Sequence, residues 1–129
     1  MSSERGGVSM LVAGVIIPSA LFGIALLVAV AQLATARAGA QGVADAAALA
    51  AAPVTFHPFG TSGDPTGEAR AIAGAGGLRL DRCTCRMDTT WNPRVVVVEV
   101  SGRVAVLGRF PVTVTAAAAA EFRPVALLE

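Results

Sequence analysis

Residues 8–33 read VSMLVAGVIIPSALFGIALLVAVAQL, and residues 34–52 continue as ATARAGAQGVADAAALAAA. No charged residue occurs from Gly6 to Ala36. A helix needs about 20 apolar residues to cross the hydrocarbon core of a bilayer. A secretory signal has a shorter apolar core, about 7–15 residues. The run therefore predicts an uncleaved transmembrane helix over 8–33, although Ala38-Gly39-Ala40 has the small-x-small form of a cleavage site. The second stretch is dominated by alanine, the best helix former, and meets no proline before Pro53. One helix is thus expected from about Ser9 to Ala52, on the order of 65 Å long and about twice the hydrocarbon thickness. Pro18 falls inside it and predicts a kink.

Outside the span the chain is sparingly charged. Its 129 residues are 54% hydrophobic and 15% charged, with a formal net charge of +1. A near-neutral chain of this kind lacks the basic stripe of a nucleic-acid binder, and nucleic-acid partners are excluded on that ground. Every basic residue is Arg, a bias consistent with a GC-rich bacterial coding sequence. Arg5 and the amino terminus precede the span beside Glu4, and Arg37 follows it, so the flanking charges set no orientation. Everything long enough to fold follows the helix. This favours residues 1–7 as a short cytoplasmic tail and residues 37–129 outside the cell membrane, which the chain crosses once.

The outer half of the helix is built of small side chains. Ala36, Ala40, Ala44, Ala48 and Ala52 lie four apart on one ridge, which lets another backbone approach closely. The ridge serves either a neighbouring helix or the chain's own domain. Gln41 and Asp45, one turn apart, mark a solvated face.

Three features occur in order: Arg5-Gly6-Gly7-Val8, an uninterrupted apolar span with a central proline, and Ala44-Asp45-Ala46-Ala47-Ala48-Leu49-Ala50. Over residues 4–52 this resembles the amino-terminal region of TadE/TadG-like proteins of the tight-adherence (Flp-type) pilus machinery. The short TadE-like members of high-GC Gram-positive bacteria match best. The resemblance implies a membrane-anchored minor pilin or pilus assembly factor. Its partners would be the lipid bilayer and other pilin-like subunits or assembly proteins, and it would need no cofactor. Gly7 is the candidate processing site. Prepilins and pseudopilins usually carry Glu five residues after the cleaved glycine, and here that position is Val12, which argues against processing.

Residues 53–129 are expected to form a small extracytoplasmic α+β domain. Pro53 ends the long helix, and 53–67 is a loop by its Pro and Gly content, with Phe56 and Phe59 tucked onto the core. A short helix is expected over Glu68–Ala75 after Thr66, and a strand over Leu78–Arg86. Residues 89–93 form a turn that folds Trp91 against the sheet. The valine-rich stretch from residue 95 to Leu107 reads as one strand with its even positions apolar. A loop at Gly108-Arg109-Phe110 then pairs Val106 with Val112, Val104 with Val114, Val100 with Ala118 and Val96 with Phe122. This long hairpin, about 94–122, keeps one apolar face throughout. The alanine run 116–120 could equally be helical by propensity. The whole is α+β: a long amino-terminal helix packed on a small antiparallel sheet, a pilin-like plan. With so few residues outside the membrane the core is small and needs the helix as cover.

Cys83-Thr84-Cys85 is the one constellation with chemistry to offer. Residues two apart on a strand share a face, with α-carbons about 6.5–7 Å apart, the far limit for a disulfide. A bridge between them needs a bulge or turn. A structural disulfide, two unpaired thiols and a redox or metal site all remain open; Arg82 and Arg86 would lower a thiol pKa in the last case. His57, alone in a Pro-rich loop, reads as a surface or packing residue, and the acidic residues form no catalytic pair. No enzymatic activity and no small-molecule substrate are expected. The competing readings are an anchored thiol-disulfide module using Cys83 and Cys85, and a general envelope protein.

Overall fold

The computed structural model describes residues 4–57 and 63–128. Helix α1 runs without interruption over Glu4–Val54. Helix α2 spans Pro65–Ala75, and three strands follow: β1 (Arg79–Thr84), β2 (Arg94–Val106) and β3 (Phe110–Phe122). A short 3-10 turn over Pro124–Leu128 closes the described chain. The sheet is antiparallel in the order β1-β2-β3. The protein is therefore α+β, with the carboxyl-terminal half of α1 laid on one face of a three-stranded sheet and α2 packed against α1 and β1.

Helix α1 outlasts its expected end by two residues. Pro53 lies within the last turn and does not stop the helix before it. Proline removes one hydrogen bond and crowds the carbonyl a turn back but keeps a helical φ, and here the helix runs only one residue past it. Termination falls to Thr55: its amide and its hydroxyl both donate to the Ala52 carbonyl, at 3.3 and 2.6 Å. Pro18 is likewise accommodated inside the helix.

Helix α2 starts earlier than residue 68. Asp64 is its cap and accepts from the Thr66 amide at 3.1 Å, with Pro65 in the first turn. This is the preferred arrangement, since a carboxylate satisfies a free amide and proline has none to lose. At the other end Gly77 takes φ 73° and the Leu78 amide donates to the Ala73 carbonyl, a glycine C-cap that turns the chain into β1.

Strand β1 is shorter than the expected 78–86 and carries a bulge between Leu80 and Arg82. The bulge shifts the alternation by one, so Leu80 and Cys83, three apart, both turn toward the core. Strand β3 alternates without fault from Val112 to Phe122, even residues inward and odd residues exposed. The alanine run 116–120 is strand. Ala118 and Ala120 complete a thin core with Val96, Val98 and Val100 of β2 and Ala69 and Ala73 of α2.

The hairpin register differs by two residues from the expected one. Val106 pairs with Phe110, Val104 with Val112, Val100 with Ala116, and Val96 with Ala120. The turn is Leu107-Gly108-Arg109, closed by the Arg109 amide donating to the Val106 carbonyl at 3.2 Å. A slip of two keeps every side chain on its face, so the apolar pattern cannot distinguish the registers. In the observed register the turn is tight, with Leu107 and Gly108 both at positive φ, 54° and 65°, the pair of angles of a two-residue hairpin turn.

Candidate functional site

The working surface suggested by the sequence is α1, and the structure divides it. From Met10 to Val30 large apolar side chains point outward without a partner: Phe22 is 73% exposed and Leu27 71%. Beyond Ala40 the relation inverts. Ala44, Ala47 and Ala51 have no exposed surface at all, enclosed by the chain's own sheet and α2. The helix is long and apolar enough to cross a membrane, and the apolar window of it is wholly uncovered by the rest of the chain.

The exposed half is self-sufficient in hydrogen bonding. The Ser19 hydroxyl donates to the Val15 carbonyl at 2.8 Å and the Thr35 hydroxyl to the Ala31 carbonyl at 2.9 Å. Back-bonding of this kind leaves these hydroxyls satisfied in a medium that offers no water.

The alanine ridge packs closely, as its spacing predicts, but inward. Ala40, Ala44, Ala48 and Ala52 are buried and Ala36 is half-buried. Ala47 and Ala51, off the ridge by one residue, are buried with them. The buried stripe is therefore wider than a four-residue repeat and is occupied by the chain's own domain, so the ridge does not present a free face to another helix. Alanine is required here for its size. Gly76 approaches so closely that an added Cβ would meet the Val43 side chain.

Two glutamines fix the sheet to the helix. Gln41 Nε2 donates to the Ala117 carbonyl at 3.0 Å and to Asp45 at 3.1 Å. Gln32 Oε1 accepts from the Leu107 amide at 2.8 Å, tying the hairpin tip to the boundary between the two halves of α1. At the far end Arg94 gathers backbone carbonyls. Its guanidinium donates to Thr55 (3.2 Å), Asp88 (2.6 Å), Asn92 (3.3 Å) and Thr90. It also lies 5.4 Å above the Phe56 ring, which packs edge-on against Trp91 at 4.9 Å and beside Phe122 at 6.1 Å. Phe56, expected on the core, is buried; Trp91, expected against the sheet, packs on Phe56 but remains 43% exposed; Phe59 lies outside the described residues. Arg94 was not singled out in the sequence, and nothing there marks it apart from nine other arginines. Only its position at the start of β2, opposite the end of α1, makes it a clasp.

Cys83 and Cys85 form a disulfide, with α-carbons 5.2 Å apart. The contraction from the strand value occurs because β1 ends at Thr84 and the chain leaves the ladder there. Both half-cystines rest against the core. Arg82 is engaged with Glu99 across the sheet, and Arg86 is exposed. Gly7 lies within α1, exposed, with Val12 about a turn and a half further along the same helix. His57 is half-buried after the Phe56 bridge. Among the described residues no three His, Cys, Asp or Glu side chains gather as metal ligands would.

Comparison with protein-family models, with curated proteins and with solved structures gives no match.

Proposed function

We propose that this protein is a membrane-anchored structural component of a tight-adherence, type IV-like pilus or of related secretion machinery, acting as a minor pilin or assembly factor. The observation that carries the reading is the divided helix. One continuous helix is buried in its own domain over one half and bare and apolar over the other. Such a helix belongs in lipid or against other helices of the same kind, the situation of a pilin-like subunit. The resemblance of residues 4–52 to TadE/TadG-like proteins supports it. The amino terminus lies in the cytoplasm and the α+β domain outside. Partner helices pack on the bare half, where Gly14 and Gly23 leave room for close approach, because the alanine half is already occupied.

Photocrosslinkers placed at Phe22, Leu27 and Ala48 in cells, followed by membrane fractionation, test the proposal. The protein is expected in the membrane fraction, with crosslinks to pilin-like subunits from Phe22 and Leu27 and none from Ala48. A soluble protein, or crosslinks to lipid alone at both bare positions, overturns the pilus role.

A further inference from the structure

The hairpin tip is built against the usual rule for water. Tight turns that need positive φ favour Asn and Gly. Here Leu107 holds φ 54°, a conformation that costs a residue with a side chain roughly 1–2 kcal/mol. Its side chain is 41% exposed, and Phe110, at the other end of the turn, is 59% exposed. Strain and bare apolar surface coincide at one point, which calls for a partner rather than a packing explanation.

The position of that point is set by Gln32. The Leu107 amide bonds to the Gln32 side chain, so the tip stands level with this part of α1. The uncharged run Gly6–Ala36, as a helix, is about 46 Å long, close to the roughly 40–45 Å of a bilayer with its headgroups. Gln32–Ala36 then occupies the headgroup layer on the domain side, and the tip meets the boundary between headgroups and hydrocarbon. Charge agrees with this. Arg37 is the first charged residue after the run, and Arg103 and Arg109 are the charged residues nearest the turn. All three are exposed and basic, while the next acidic residue along α1 is Asp45, about 12 Å further from the bilayer than Arg37.

We propose that the β2–β3 tip is a second membrane contact of this protein, resting on the membrane reading of α1. Leu107 and Phe110 insert at the headgroup–hydrocarbon boundary, and Arg37, Arg103 and Arg109 reach the lipid phosphates above it. Aromatic side chains favour this layer, and basic side chains near an anionic surface are drawn to it. Together with Gln32 the contact fixes the domain's height and rotation about α1, which a single helix leaves free.

The test uses the full chain in vesicles of phosphatidylcholine and phosphatidylglycerol whose acyl chains are brominated near the carbonyl end, where bromine quenches tryptophan. The native Trp91 packs on Phe56, beyond the end of α1 and about 30 Å along the axis from Gln32, and is the unquenched reference. In a Trp91→Phe background, Phe110→Trp is expected to lose roughly half its emission and to shift to the blue, as an interfacial indole does. Phe22→Trp in the same background reports on the span itself. Quenching of Phe22→Trp without quenching of Phe110→Trp overturns the tip contact and leaves the span intact. Absence of quenching at both positions overturns the membrane reading and the tip contact with it.

Discussion

The two halves of α1 are equally helical, and only their side chains differ in size. The bare half presents Leu, Ile, Val and Phe outward; the covered half presents alanine inward. In a protein surrounded by water alone the large side chains would be inside. Here the order is reversed, because the core is one thin layer between a helix and a three-stranded sheet. Alanine lets the backbones come together, and valine on β2 fills what space remains. The large side chains stay outside the fold, on a stretch apolar and long enough to cross a membrane. Burial of an apolar group and its transfer into lipid are driven by the same removal from water, so one helix can satisfy both halves with opposite choices of size.

Charge breaks the comparison most severely. Ala47→Asp places an unpaired carboxylate where nothing is exposed and should cost about 3–5 kcal/mol, enough to unfold a small domain in a denaturant titration followed by circular dichroism. Phe22→Asp should leave the domain's unfolding unchanged and lower membrane insertion by about 2.5–3.5 kcal/mol, read as the fraction recovered in membranes. If both substitutions unfold the domain equally, the halves are not separate.

Close approach is sharpened at two glycines. An added methyl at Gly76 meets Val43, a β-branched side chain with little rotamer freedom, and Gly76→Ala should destabilise by about 1–3 kcal/mol. At Gly102 the obstacle is the end of Leu78, which can swing aside, and Gly102→Ala should cost well under that in the same titration. Equal losses would mean that α1 and α2 have slack between them.

The disulfide rests only partly buried against the core and should matter less. It closes a ring of three residues, so the chain-entropy contribution is only about 1.5 kcal/mol. Cys83→Ser with Cys85→Ser should lower stability by that much and leave membrane association untouched. Loss of a cellular function beyond the measured stability change would revive the thiol-disulfide reading.

The smallest effect is on pH dependence. Hydrogen bonds from the Thr90 amide, and then from its side chain, hold the Asp88 carboxyl below the usual range. Hydrogen bonding from Ser101 and then Arg79 does the same for Asp81. A depressed carboxyl pKa contributes stability above its unfolded value, near 4, which is lost as the pH falls through the folded value. The domain should therefore melt lower as the pH falls below about 4, and Asp88→Asn should flatten that dependence slightly. Asp88 also donates its amide to the Thr55 carbonyl beside the end of α1, so an unchanged melting profile would show that this clasp does not depend on the carboxylate.

Much of this architecture is legible in the amino-acid sequence. The uninterrupted apolar run, the helical continuation, and the inward set of the long hairpin follow from period and composition, since 3.6 and 2 are properties of the backbone. The cysteines' need for a departure from strand geometry follows from α-carbon spacing. What composition could not decide was every choice between equivalent alternatives. A hairpin slipped by two residues buries the same face, and the observed register accepts positive φ at Leu107 as well as Gly108, which the apolar pattern gives no reason to expect. A bulge at Leu80–Arg82 leaves no sign in the residues that produce it. Arg94 became a clasp by being brought opposite the Thr55 carbonyl.

The alanine ridge shows the division most plainly. The sequence by itself offered a face of small side chains along α1, Ala36–Ala52, on which another backbone can approach closely. The tertiary structure alone decided that the chain's own sheet and α2 cover it, because which surface reaches a helix depends on contacts between residues far apart in the chain. The same fold leaves residues 10–30 bare, an apolar helical stretch long enough to cross a membrane.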